Sequence, residues 1–379
     1  MADNIPPHIR YTRQFNTKIW CNLSHSCGQA ISLSNLIAMD HNNHYKALSE
    51  QPLDYASVQG DSKLREHISH FHQQANHHQS QLSAEHVVTF SGAQEALKGV
   101  YSSILQPGDE VVVCTPNYPS LTAMVSECGA TLKPYTLTPE TDWQVNIKEL
   151  CALVNCNTKL IVVNAPHNPT GHLLSPEQQR QLVDIAKQFD CFLLSDDVTQ
   201  TVTDNKRITS HAYLDYEKSI VISVMSKAFG LGGVRIGWAV TRYLQLIERL
   251  VAFKCQSSIC TSAVDETLAL IAFDNGESIV AENLRICHRN QQVFAEFIEN
   301  NDLFQWWQPA AGFLSVVECL ARESIDTWAP RFTGQTGVML LPLSLFGVKG
   351  NFFRLGLGQQ SFAEGLDALL NFSHSELSA

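Results

Sequence analysis

From about residue 85 to residue 241, short apolar runs rich in β-branched residues alternate with stretches whose apolar spacing is helical. Strands are expected at 86–90, 110–114, 160–164, 191–194, 219–223 and 236–240, with helices at 94–104, 120–128 and 176–189 among them. The runs are apolar almost without interruption, so both faces of their sheet must be covered. Parallel neighbours need a crossover of helical length, and the chain supplies one between most of the runs. The pattern predicts an α/β fold around a mostly parallel sheet with helices on both faces. A long helix is expected at 281–300, followed by short strands at 312–317, 337–341 and 352–356 of a smaller α+β domain. The first 44 residues lack the rhythm and are expected to pack with that part. The division is then a large domain over 45–282 and a small one made of 1–44 and 283–379.

Composition narrows the class of function. With 44% hydrophobic and 17% charged residues, the 379-residue chain reads as a globular protein with a sizeable core. A formal net charge of −11 argues against nucleic acid or an anionic membrane as partner. Eleven cysteines without CxxC spacing fit free thiols in a reducing cytoplasm. Neither a secretory h-region nor a membrane-length apolar run is present, so the expectation is a cytoplasmic protein. His67, His70, His72, His77 and His78 crowd one Gln-rich stretch, but no carboxylate or cysteine completes a ligand set, and no metal is expected.

In open parallel sheets ligands bind beyond the carboxyl ends of the strands, and four polar motifs fall there. Ser91-Gly-Ala-Gln-Glu-Ala96 follows a strand and opens a helix, where free N–H groups suit an anion, although a tight turn has the same composition. His167-Asn-Pro-Thr-Gly171 offers Asn168 to the cleft, or is an ordinary turn. Asp196 and Asp197 close a strand, where a buried carboxylate needs a positive partner or acts as a helix cap. Ser226-Lys-Ala-Phe-Gly-Leu-Gly-Gly-Val-Arg-Ile-Gly-Trp238 sets Lys227 after an apolar strand and Arg235 eight residues later. A desolvated lysine forms Schiff bases, whereas a lone one at a strand end is ordinarily solvated. Together these residue types meet the needs of pyridoxal phosphate: an imine lysine, a carboxylate for the ring nitrogen, and N–H groups with arginine for the phosphate.

Taken in order from Tyr55 to Arg354, the motifs resemble those of the aminotransferase class I/II superfamily, pyridoxal-phosphate enzymes of fold type I. The resemblance implies a large domain with a mostly parallel seven-stranded sheet covered by helices. It makes Lys227 the Schiff-base (internal aldimine) lysine and general base, Asp196 the partner of the pyridinium nitrogen, and Tyr118 the aromatic stacked on the ring. Asn168 donates to the phenolic oxygen and borders the substrate. Gly92, Ala93, Gln94, Ser226 and Arg235 hold the phosphate, and Tyr55 reaches the phosphate of a neighbouring subunit in a homodimer. Arg354 clamps the substrate α-carboxylate, and Gly28 is the close-approach glycine of the N-terminal segment. Tyr11, His25 and Gln29 are candidates for the wall facing the substrate side chain.

Several positions depart from the family pattern. Thr199 replaces the tyrosine that bonds the phenolic oxygen, Val224 a phosphate-binding hydroxyl, and Pro342-Leu343 a Pro-Gly turn. Asn22-Leu-Ser-His-Ser-Cys-Gly28 lacks the usual Gly-x-Pro-Asp-Phe. That segment and Pro166-His-Asn-Pro169 show a looser resemblance to the capreomycidine synthase type. Two enzymatic expectations follow. One is transamination between an L-α-amino acid and a 2-oxo acid through pyridoxamine phosphate. The other is elimination, cyclisation or oxidation of an amino acid in a specialised pathway. A ligand-sensing regulator is disfavoured, because the segment before the large domain is too short and too poor in basic residues for a helix-turn-helix unit.

Overall fold

A computed structural model of the chain describes residues 5–15, 18–74, 81–199 and 215–377. Its centre is a seven-stranded sheet in the order Val87–Phe90, Gly237–Thr241, Ser219–Val224, Phe192–Asp196, Thr158–Asn164, Glu110–Thr115, Thr131–Thr136. Gly237–Thr241 is antiparallel to both neighbours, and every other pairing is parallel. All six strands read from the sequence are present. The seventh, Thr131–Thr136, lies at the sheet edge, where its side chains are largely exposed. Its Lys133 and Pro134 break the apolar run, and an edge strand tolerates both.

The strands are apolar throughout because successive residues serve opposite layers. Leu160 and Val162 pack with the helices Ala93–Ile104 and Ser120–Glu127, while Ile161 and Val163 pack with Pro176–Gln188. Pro176–Gln188 begins on a capping box, in which Ser175 Oγ accepts from Gln178 N and the Gln178 side chain accepts from Ser175 N.

A four-stranded antiparallel sheet follows in the order Leu341–Pro342, Phe352–Gly356, Leu314–Cys319, Phe304–Trp307. The single strand expected at 337–341 is divided. Val338–Met339 pairs in parallel with Cys21–Asn22, and Leu341–Pro342 pairs with Phe352–Gly356, so a bend at Leu340 lets one segment serve two sheets. The long helix spans Gly276–Glu299, starting before the expected 281, and only Asn275 separates it from the helix Ala263–Asp274.

Gly237 fixes the contact between the sheet and the helix that opens at Ala93. A Cβ at Gly237 would lie 2.5 Å from both Ala93 N and the Gly92 carbonyl carbon, which are backbone atoms. Gly237→Ala is expected to destabilise the protein by about 2 kcal/mol or more, read as a lower denaturant midpoint. An unchanged midpoint would show that the helix start can shift freely.

Candidate active site

The carboxyl ends of the strands open into one cavity of about 220 Å³. Ala93, Gln94, Tyr118, Asn168, Asp196, Thr199, Ser226, Lys227 and Arg235 all line it, although they come from five separate strand ends. The parallel sheet is what gathers them, since strands that run together deliver their ends to one edge.

Asp196 and Asp197 leave their strand on opposite sides. Asp196 faces the cavity, while buried Asp197 accepts a hydrogen bond from Ser195 Oγ. No cation bonds the Asp196 carboxyl among the described residues; its Oδ1 takes the Val198 N–H at 3.4 Å. Burial raises its pKa from 3.8 to about 6, against the smaller lowering pull of the Val198 N–H and the Lys227 charge. Such a carboxyl suits a cationic N–H donor brought by a ligand.

Gly92 and Arg235 approach one another beside the cavity. Gly92 caps the helix Ala93–Ile104 with φ +88°, and a Cβ there would lie 2.2 Å from Arg235 Nη2. Arg235 itself adopts φ 52°, a left-handed conformation uncommon outside glycine. Its guanidinium donates to Gly232 O at 3.1 Å and Ser91 O at 3.4 Å. A guanidinium, a serine hydroxyl and the positive end of a twelve-residue helix thus share one wall, a cradle that fits a phosphate.

Asn164, which the sequence reading passed over, ties the loops together. Its Oδ1 accepts from Asn168 N at 2.6 Å, and its Nδ2 donates to Asp196 O at 2.7 Å. A polar residue closing an apolar run was the signal available for it. Asn168 Oδ1 accepts from Arg354 Nη1 at 3.2 Å, which leaves the amide NH2 as the group it can offer the cavity. Arg354 also donates to Ser24 O at 2.8 Å and lies 5.3 Å over the Phe346 ring. Burial lowers its pKa to about 10, and its Nε has no partner among the described residues.

The remaining expected residues divide. Thr199 is buried and its hydroxyl donates to Pro166 O at 3.4 Å. Val224 lines the cavity as an apolar wall. Gly28 does not line it: a Cβ there would meet Asn283 Cγ at 2.6 Å, and the residue of that segment facing the cavity is Ser26. Tyr55 is 80% exposed and outside the cavity. His25 bonds Gln359, Gln29 bonds Gln360 N, and Tyr11 packs against Met339 and Leu341. His8 was not anticipated. It is buried, stacked on Phe346 at 5.6 Å and edge-on to Tyr118 at 5.5 Å, and burial with the Arg354 charge lowers its pKa to about 4.

The histidine-rich stretch is divided as well. His72 is buried and accepts from Trp238 Nε1 at 2.9 Å, while His67 meets Asp274 at 3.1 Å. His77 and His78 lie outside the described residues. Among the described residues no group of three or more His, Cys, Asp or Glu is placed to hold a metal ion.

Comparison with known proteins accords with this geometry. A capreomycidine synthase from Streptomyces vinaceus is 29% identical over 69% of this chain and 67% of its own length. An arginine–pyruvate transaminase from Pseudomonas aeruginosa is 32% identical over 49% of this chain and 47% of its own. A PLP-dependent aminotransferase from Streptococcus suis shares the fold at a TM-score of 0.90 and 23% identity, covering 99% of both chains. The family profile described as aminotransferase class I and II matches residues 36–369. The chain therefore belongs to the aminotransferase class I and II family, and is a pyridoxal-phosphate-dependent transaminase of fold type I.

Proposed function

We propose that the protein moves the amino group of an L-α-amino acid to a 2-oxo acid, with Lys227 as the residue that bonds the cofactor. The observation that carries this reading is the meeting of Lys227, Asp196, Asn168, Tyr118, Ser226 and Arg235 on one cavity, with Arg354 bonded to its rim at Asn168. When bound, pyridoxal phosphate supplies the electron sink that lets a proton leave the substrate Cα.

The chain supplies the rest. Lys227 Nζ would hold the cofactor and afterwards carry the Cα proton. The Asp196 carboxylate would keep a proton on the ring nitrogen, Tyr118 would cover the ring, and the Asn168 amide would donate to the ring oxygen, while the Thr199 hydroxyl donates to Pro166 O. The Gly92, Ala93 and Gln94 backbone, with Ser226 and Arg235, binds the phosphate. Arg354 grips the substrate carboxylate through its fork of donors. Tyr55, with most of its surface exposed, completes the phosphate site of a second copy in a homodimer. Gly28 keeps the N-terminal segment close to Asn283, so its part in substrate binding is indirect.

In the same reading 45–282 is the cofactor-holding domain, and 1–44 with 283–379 the smaller one. Pairing of Cys21–Asn22 with Val338–Met339 supports that grouping. All eleven cysteines are free, which suits a cytoplasmic enzyme. Among the described residues no helix is long and apolar enough to cross a membrane.

A single turnover of cofactor-loaded protein with an amino acid should yield the aminated cofactor and a 2-oxo acid in equal amounts. Ammonia released without the aminated cofactor would overturn transamination and favour elimination or cyclisation. Lys227→Ala should lose the visible absorbance of the loaded protein and lower kcat by about 10³-fold or more. Retention of that absorbance would overturn the lysine's role.

Arg354→Ala should lower kcat/KM by about 100-fold, roughly 3 kcal/mol, the range for hydrogen bonds to a charged group. An equal loss with an amine lacking the carboxylate would sink the assignment.

Asp196 predicts a stability signature in the cofactor-free protein. Its folded pKa of about 6 exceeds the unfolded 3.8, so the native state holds the proton more tightly. The penalty is absent below pH 3.8, grows as pH rises to 6, and is complete above, at about 3 kcal/mol. Cofactor-free Asp196→Asn should therefore melt above the wild type at pH 7.5, with a margin that shrinks towards pH 4. A margin independent of pH would contradict the burial of an ionised Asp196.

A further inference from the structure

Ser26 has no part in the reading above, yet it touches the residue on which that reading turns. Its Oγ accepts a hydrogen bond from Lys227 Nζ at 2.7 Å, and it lines the cavity. The two are 201 positions apart in sequence, so the contact exists only because the N-terminal segment is laid across the strand end that carries the lysine.

That segment is fixed on both sides of Ser26. Ser24 Oγ donates to Arg354 O and accepts from Leu341 N, both at 2.8 Å. Gly28 N donates to Lys227 O at 2.9 Å. Asn283 accepts from Gln29 N at 2.9 Å and donates to Ala228 O at 2.8 Å, closing the far end. One short stretch therefore grips Lys227 twice, by its carbonyl at Gly28 and by its amine at Ser26. The hydroxyl at Ser26 is set by backbone bonds to its neighbours.

We propose that Ser26 is a positioning residue for Lys227. It holds Nζ in the orientation from which the amine reaches the cofactor's carbonyl carbon and, once released, the proton on the substrate Cα. Lysine ends a flexible four-carbon stem with many rotamers, so one fixed partner at its tip removes unproductive arrangements. Holding reacting atoms within near-attack distance is where orientation contributes to rate. A hydroxyl suits this task because it accepts from an ammonium and donates to a neutral amine, so the contact survives either state of the lysine. Ser26 itself transfers no proton.

The proposal rests on Lys227 bonding the cofactor, and its test keeps the two ideas apart. Cofactor-free protein is mixed with pyridoxal phosphate, and capture is followed by growth of visible absorbance and by borohydride trapping of the cofactor on the chain. Ser26→Ala should slow capture about tenfold and lower kcat to a similar degree, with KM and the melting temperature little changed. Ser26→Thr, which keeps the hydroxyl, should restore both rates to within about threefold of the wild type. Capture at the wild-type rate in Ser26→Ala, or equally slow capture in both variants, overturns the proposal. Borohydride trapping that persists in Lys227→Ala would instead remove the lysine's role, and this proposal with it.

Discussion

The site hangs on the side chain of Asn164. A sheet of parallel strands brings its carboxyl ends together, but each end continues as a loop with backbone groups no longer held by the ladder. Asn164 binds a backbone group at each of two strand ends, Asn168 N on its own and Asp196 O on the next, which also accepts from Ala165 N. Those bonds fix the residues from which Asn168 and Asp196 project into the cavity. From Asn168 the chain of contacts continues to Arg354, and from Arg354 to Ser24, so hydrogen bonds run from one strand end of the large sheet to a strand of the smaller one. An apolar residue at Asn164 would leave the Asn168 N–H without its acceptor, at a cost of about 1–3 kcal/mol, while Asp196 O would keep the Ala165 N–H.

Much of this was legible in the sequence, and the limits have physical causes. Nearly unbroken apolar runs separated by helical stretches identify a parallel sheet, and the rule on strand ends then locates the site. Thr131–Thr136 escaped because an exposed edge strand need not be apolar, and its Lys133 and Pro134 resemble loop residues. The bend at Leu340 escaped because a run of buried apolar residues looks alike whether it serves one sheet or two. Lys227, Asp196 and Arg235 stood out as polar residues where an apolar strand ends, and Asn164 had the same signature. Ser26 and His8 had none. Their positions depend on where the first 30 residues cross the sheets, which local pattern does not encode. Gly28 was read as a close-approach glycine, and a glycine marks a close approach without saying to what. Here it is to Asn283.

The departures from the family pattern acquire a structural meaning together. Thr199 and Val224 remove two polar groups from the cavity wall, and Thr199 spends its hydroxyl on Pro166 O. Ser26 adds a hydroxyl from the opposite side, on the amine of Lys227. That hydroxyl comes from the N-terminal segment. The same segment holds Arg354 through the Ser24 carbonyl, so the lysine and the arginine are registered to one stretch of backbone.

The electrostatics of the site explain why it stays open to a ligand. Asp196 and Arg354 are both buried, and neither has an oppositely charged side chain bonded to it among the described residues. Burying a charge without its counter-ion is costly, and the response is visible in both groups, with Asp196 pushed towards its neutral form and Arg354 drawn below its usual range. A direct ion pair between them would relieve both at once. The structure prevents it by holding Asp196 on its strand end through Asn164 and tying Arg354 to Ser24 and Asn168. On the proposed reading, the buried Asp196 on the cavity wall and Arg354 at its rim would suit a ligand set that brings a cation to one and a carboxylate to the other. A protonated pyridine ring and an amino acid together have that pattern. On that reading, the stability forgone at Asp196 and Arg354 would be returned on binding, which would couple the folding of this site to its occupancy.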